Sequence, residues 1–110
     1  MNTRREQFLT DILITAIEGG IDYWAGTLWY LPNECKAKIF DYGTSQFYTI
    51  TYQTITKGLN LIIKTDKIQL REDIIKSILY SNRLNDASDI DAEIADCIIQ
   101  AGCLGDVLYG

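Results

Sequence analysis

The sequence contains no histidine in its 110 residues. That removes the serine and cysteine triads built on imidazole, imidazole general bases and most zinc enzymes at once. Proline occurs once, at Pro32. The cysteines Cys35, Cys97 and Cys103 are an odd three with no CxxC pair, so they spell neither a disulfide framework nor a metal site. They read as reduced, partly buried thiols. No apolar run nears the roughly 20 residues that a membrane span needs. The first residues, with Arg4, Arg5 and Glu6, lead into an amphipathic stretch and not the solid apolar block of a secretory signal, so a cytoplasmic protein is expected. Repeats, low-complexity segments and linkers are absent. Neither Gly19-Gly20 nor Gly102-Cys103-Leu104-Gly105 has the lysine and serine of a phosphate loop or the spacing of a dinucleotide fingerprint.

What is present suits one packed domain spanning residues 1–110. Hydrophobic residues make up 47 % and charged residues 23 %, enough apolar material for a single core. Net charge is −5 and unevenly spread. Leu84–Gly110 holds Asp86, Asp89, Asp91, Glu93, Asp96 and Asp106 with no basic residue; all ten cations lie earlier. Phosphate contacts need clustered cations, so direct nucleic-acid binding is not expected. The acidic stretch reads first as a solubilising helix face, and second as a surface for a basic partner. As a calcium loop it fails, because Ile90 and Asp91 stand where a ligand oxygen and a glycine are required.

Periodicity supplies the elements. Thr3 and Glu6 fit a capping box, and Phe8, Leu9, Ile12, Leu13, Ala16 and Ile17 form a helical apolar stripe. The spacing predicts a helix over Thr3–Glu18, ended by a left-handed Gly19-Gly20 cap. Aromatic and β-branched residues predict a strand over Ile21–Leu31, a turn at Pro32-Asn33, and further strands over Cys35–Tyr42 and Gln46–Ile50. Three helices follow: one through Tyr52–Ile63, one from Leu70 to Asn82, and one over Ile90–Ala101 closed by Gly102 or Gly105. Gly58 inside the first of these suggests a close packing neighbour. Val107–Tyr109 reads as an apolar tail tucked inward. The fold class is therefore α+β: a three-stranded antiparallel sheet packed against about four helices, in the order αβββααα.

The strongest functional signal is aromatic. Tyr23, Trp24, Trp29 and Tyr30 fall within eight residues and include both tryptophans of the chain. Strand alternation would put Tyr23 and Trp29 on one face and Trp24 and Tyr30 on the other. One face can line the core, leaving a tryptophan and a tyrosine outward to stack on a base or anchor an interface. Arg4, Arg5 and Lys57 are the cations that can clamp a phosphate, with Arg4 and Arg5 at a helix start. Asp22, beside the aromatic segment, is the one carboxylate placed for general acid–base work, with no second carboxylate fixed opposite it.

Three stretches also carry a resemblance. They are Phe8–Leu13 with Glu18–Ala25 (EGGI-x-YWA), Thr54–Leu59, and Asp91–Ala101 followed by Gly105–Gly110. Together they resemble a family of small bacteriophage and mobile-element proteins that has no assigned activity. Leu28–Gln46 and Lys64–Arg83 depart most from that pattern. The resemblance implies a phage accessory protein acting in the cytoplasm of an infected bacterium, and carries over no catalytic residue. Small phage proteins of this kind often blunt host defences by binding. The resulting expectation is a non-catalytic, cofactor-free, homo-oligomeric protein that sequesters a nucleotide-like immune signal through Tyr23, Trp24, Trp29, Tyr30, Arg4, Arg5 and Lys57. The alternatives are an acidic inhibitor of a basic host defence protein, presenting Asp86, Asp89, Asp91, Glu93 and Asp96, and a small nucleotide-cleaving enzyme.

Overall fold

The computed structural model describes residues 2–110. Helix α1 spans Arg4–Thr15. Its capping box is complete: the Glu6 amide donates to Thr3 Oγ1 at 3.1 Å, and the Thr3 amide donates to Glu6 Oε1 at 2.9 Å. The chain then widens into one π-helical turn, Ala16–Gly20, closed by the Ile21 amide on the Ala16 carbonyl at 3.0 Å. The predicted left-handed glycine cap is not there, since neither Gly19 nor Gly20 has a positive φ. Gly20 answers a different demand: a Cβ on it would lie 2.8 Å from the Ala92 carbonyl oxygen.

The sheet is an antiparallel meander of β1 (Ala25–Leu31), β2 (Lys36–Asp41) and β3 (Phe47–Ile50), in that spatial order. A 3-10 turn, Pro32–Glu34, joins β1 to β2 and ends on Cys35 in the left-handed region at φ 51°. The first strand is shorter than its aromatic run predicts. Ile21–Trp24 form a tight turn in which the Trp24 and Ala25 amides share the Ile21 carbonyl. A bulge then interrupts the β1–β2 register between Thr27 and Trp29.

Three helices complete the chain: α2 (Tyr52–Lys64), α3 (Glu72–Leu84) and α4 (Ala92–Leu104). Asp91 caps α4, accepting from the Ile94 amide at 2.9 Å. Gly105 ends that helix in the left-handed region at φ 77°, so of the two predicted terminators Gly102 is the wrong one. Gly102 and Gly58 instead sit where α4 and α2 cross. A Cβ on Gly58 would collide with the Ile98 carbonyl, and one on Gly102 with the Thr54 carbonyl.

The class is α+β, with helix, three strands and three helices in sequence. The molecule measures 35 × 34 × 20 Å, the thin dimension of one sheet under one helix layer. Ala37, Ile39 and Ile50 of the sheet are fully buried beneath the helices in one continuous core. No helix among the described residues is long and apolar enough to cross a membrane.

Candidate functional site

The two sides of the sheet differ sharply. Antiparallel partners share a face, so the register sorts the residues. Ala25, Tyr30, Ala37, Ile39, Asp41, Tyr48 and Ile50 belong to the helix-covered side. Gly26, Trp29, Leu31, Lys36, Lys38, Phe40, Phe47 and Thr49 belong to the other side, which no helix or strand among the described residues covers. On that open side Phe40 packs against Phe47 at 5.0 Å and edge-on to Tyr42 at 6.2 Å between ring centroids. Tyr42 lies across Gly26, where a Cβ would stand 2.8 Å from the phenol oxygen. The Lys38 ammonium sits 5.4 Å from the centre of the Phe47 ring. Trp29, 40 % exposed, is the cross-strand partner of Lys38. No carboxylate occupies any of these positions, and neither Lys36 nor Lys38 makes an ion pair among the described residues.

The covered side ends in a buried polar hub. Asp96, only 6 % exposed, accepts from Trp24 Nε1 at 2.8 Å, the Tyr23 hydroxyl at 2.5 Å and Gln100 Nε2 at 2.9 Å. Gln100 Oε1 accepts the Leu108 and Tyr109 amides, both at 2.9 Å. Tyr109 stacks on Trp24 at 5.4 Å and donates its hydroxyl to the buried Asp41 at 2.9 Å. Burial alone would raise the Asp41 pKa, but hydrogen bonds from Tyr109, Gly43 and Thr44 outweigh it and hold the carboxyl below its ordinary value. Desolvation, then the bond to Asp96, raises the Tyr23 phenol. The tail is thus strapped down at Tyr109, while Leu108 stays exposed, against the expectation of a wholly tucked tail.

The predicted ligand residues do not form one cluster. Trp24 is 3 % exposed and its ring and nitrogen are both engaged in the hub, so it is not a stacking platform. Tyr23 is 54 % exposed but belongs to the turn before β1; its hydroxyl serves Asp96. Tyr30 packs on the core. Only Trp29 reaches the open face. Strict alternation from the buried Ala25 would have turned Trp29 inward; the extra residue of the bulge reverses it. The expected pairing by face, Tyr23 with Trp29 and Trp24 with Tyr30, left open which pair is exposed; the structure turns Tyr23 and Trp29 outward, through a turn and a bulge and not through the regular strand assumed. Arg5 donates to Asn82 Oδ1 and Asn85 Oδ1 at 2.7 and 2.9 Å, tying α1 to the end of α3. Arg4 is exposed at the start of α1. Lys57 lines an open groove of about 660 Å³ whose walls are residues of α2 from Tyr52 to Lys64 and its C-cap Thr65.

The acidic set is dispersed as well. Asp96 is interior, which removes it from any acidic surface. Asp91 is an N-cap, Glu93 pairs with Arg71 at 2.6 Å, and Asp86 accepts from the Ser88 amide; Asp89 is exposed. A second cavity, about 620 Å³, opens beside the hub between Gly20, Tyr23, Arg71, Glu93 and Tyr109. Burial raises all three thiols, Cys97 to about 11 and Cys103 to about 12, so none is a thiolate at neutral pH. Among the described residues no group of three or more metal-ligating side chains comes together.

Sequence reasoning passed over Lys36, Lys38, Phe40, Tyr42 and Phe47. A signal was there: positions 36, 38, 40 and 42 read Lys, Lys, Phe, Tyr, while 37, 39 and 41 read Ala, Ile, Asp. That period of two separates an aromatic–cationic face from a buried one. Comparison with protein-family models, curated proteins and solved structures yields no match.

Proposed function

We propose that this is a non-catalytic binding protein whose open sheet face holds a nucleotide-like ligand. One observation carries the reading. Trp29, Phe40, Tyr42 and Phe47 lie on one uncovered face with two lysines and no carboxylate, in a chain whose net charge is −5. Exposed aromatic rings accept a base by stacking, and each stacked base is worth about 1–3 kcal/mol. Lys36 and Lys38 supply positive charge for phosphate. Two cations in an acidic protein suit a small phosphorylated ligand better than a polynucleotide, whose affinity grows with each phosphate neutralised. Together with the resemblance to phage proteins, this favours sequestration of a nucleotide-like immune signal in the bacterial host. The ligand cations are then Lys36 and Lys38 in place of Arg4, Arg5 and Lys57.

Native mass spectrometry of protein purified from cells with an active nucleotide-signalling defence tests the reading. A stoichiometric nucleotide, released intact on denaturation and lost in Trp29→Ala, supports it. Release of a cleaved nucleotide would make the protein an enzyme. Empty protein, with no binding across mono-, di- and cyclic nucleotides in titration, overturns it. The exposed Asp86, Asp89, Asp91 and Glu93 would then be tested for capture of a basic host protein.

A further inference from the structure

The open sheet face is laid out in rows. Three rings share the first: Tyr42 lies across Gly26 of β1, beside Phe40 of β2 and Phe47 of β3. Trp29 and Lys38 belong to the next row, one pleat repeat or about 7 Å further along the strands. Lys36 stands another repeat on, opposite Leu31. Trp29 has no ring partner among the described residues, so it is a station apart from the first row. It is on β1 and Phe47 is on β3; two strand spacings and one repeat put their Cα atoms about 12 Å apart. Lys38 lies between them on β2, paired across the strands with Trp29 and with its ammonium 5.4 Å from the centre of the Phe47 ring.

We infer that the ligand is a dinucleotide, two bases joined through phosphate; the class rests on the reading of this face as a nucleotide site. A single base covers one aromatic station and leaves the other empty. Two bases splayed across the sheet fill both, one on Trp29 and one on Phe47 with Phe40 behind it. Their linking phosphate then falls over the Lys38 ammonium, and a second phosphate reaches Lys36. Joining the bases makes the second contact intramolecular, so its gain adds to the first without a second cost of association. A longer strand finds no third lysine among the sheet positions of this face, and so gains little from further phosphates.

Titration calorimetry with three probes tests the class. They are adenosine 5′-monophosphate, two adenosines joined by one phosphodiester, and that joined pair with a 5′-phosphate. Stacking tolerates any base, so adenosine serves for all. The joined pair is expected to bind about 5- to 150-fold more tightly than the monophosphate, the gain of one stacked base, at one molecule per chain. It carries less charge than the monophosphate, so the gain is not electrostatic. The 5′-phosphate should add affinity that Lys36→Ala alone removes. Trp29→Ala, checked by urea unfolding for retained fold, should bring the joined pair down to the level of the monophosphate. The comparison of probes on the wild-type chain needs no variant. A joined pair that binds no more tightly than the monophosphate overturns the dinucleotide class and leaves the nucleotide reading standing. Affinity that keeps rising from dinucleotide to hexanucleotide makes the ligand a single strand and also overturns the class. Binding of none of the probes defeats both readings.

Discussion

Trp24 and Trp29 are five residues apart and live in opposite environments. Trp24 has its nitrogen bonded to Asp96, its ring stacked on Tyr109 and almost no exposed surface. Trp29 stands on an uncovered sheet face beside a lysine. The hub around Trp24 satisfies its own polar atoms with residues from the turn before β1, from α4 and from the tail. On the open face the rings pack only on one another, on Gly26 and under Lys38, and neither lysine meets a carboxylate among the described residues. Buried and satisfied polar groups hold a structure together; exposed, clustered aromatic groups more often meet something else. Much of the Glu18–Ala25 and Asp91–Gly110 stretches, including Gly20, Tyr23, Trp24, Asp96, Gln100 and Tyr109, falls in and around the hub. Those residues are explained by folding, and they say little about the ligand.

Substitutions can break this contrast. Trp24→Ala should have the largest effect, about 3–5 kcal/mol of lost stability in urea unfolding, since it removes a core ring and one donor to Asp96. Asp96→Ala should follow at about 3 kcal/mol, because Trp24 Nε1 and Gln100 Nε2 lose their shared acceptor inside the protein. Tyr109→Phe keeps the stack and removes one donor from Asp41. The Asp41 pKa is depressed in the folded state, so its contribution is present above the unfolded carboxyl value of about 3.9 and is lost as pH falls through the lower folded value. Acid unfolding curves below about pH 4 should therefore be shallower in Tyr109→Phe than in the wild type. Trp29→Ala should have the smallest effect on stability, within about 1 kcal/mol, yet the largest on the proposed ligand, with affinity in fluorescence titration falling about 5- to 150-fold. A Trp29→Ala protein that unfolds as readily as Trp24→Ala would erase the distinction.

The sequence carries the local half of this structure openly. The capping box at Thr3, the apolar stripes of the helices and the turns at Pro32 and Gly43 are short-range signals, and the α+β class follows from their order. The hub is harder to read because its members are distant: Trp24 and Asp96 are 72 positions apart, and Tyr109 and Asp41 are 68. Nothing in the chain around Asp96 distinguishes it from its exposed neighbours Asp91 and Glu93 except its place on the apolar side of α4. The bulge at Leu28 leaves no compositional mark, yet it decides where Trp29 points. The open face was legible in part, in the two-residue period of β2, but its meaning depends on which side the helices cover.

The crossing of α2 and α4 bears on how this chain can vary over generations. The two glycines interlock: Gly58 makes room for a carbonyl of α4, and Gly102 makes room for a carbonyl of α2. Any replacement adds at least one carbon against a rigid backbone, and a change at one site gives no relief at the other. The pair therefore has no compensating exchange of the kind that lets two packed side chains trade volume. The two positions are thus held to glycine by backbone contact, a constraint that substitutions elsewhere on the surface leave untouched.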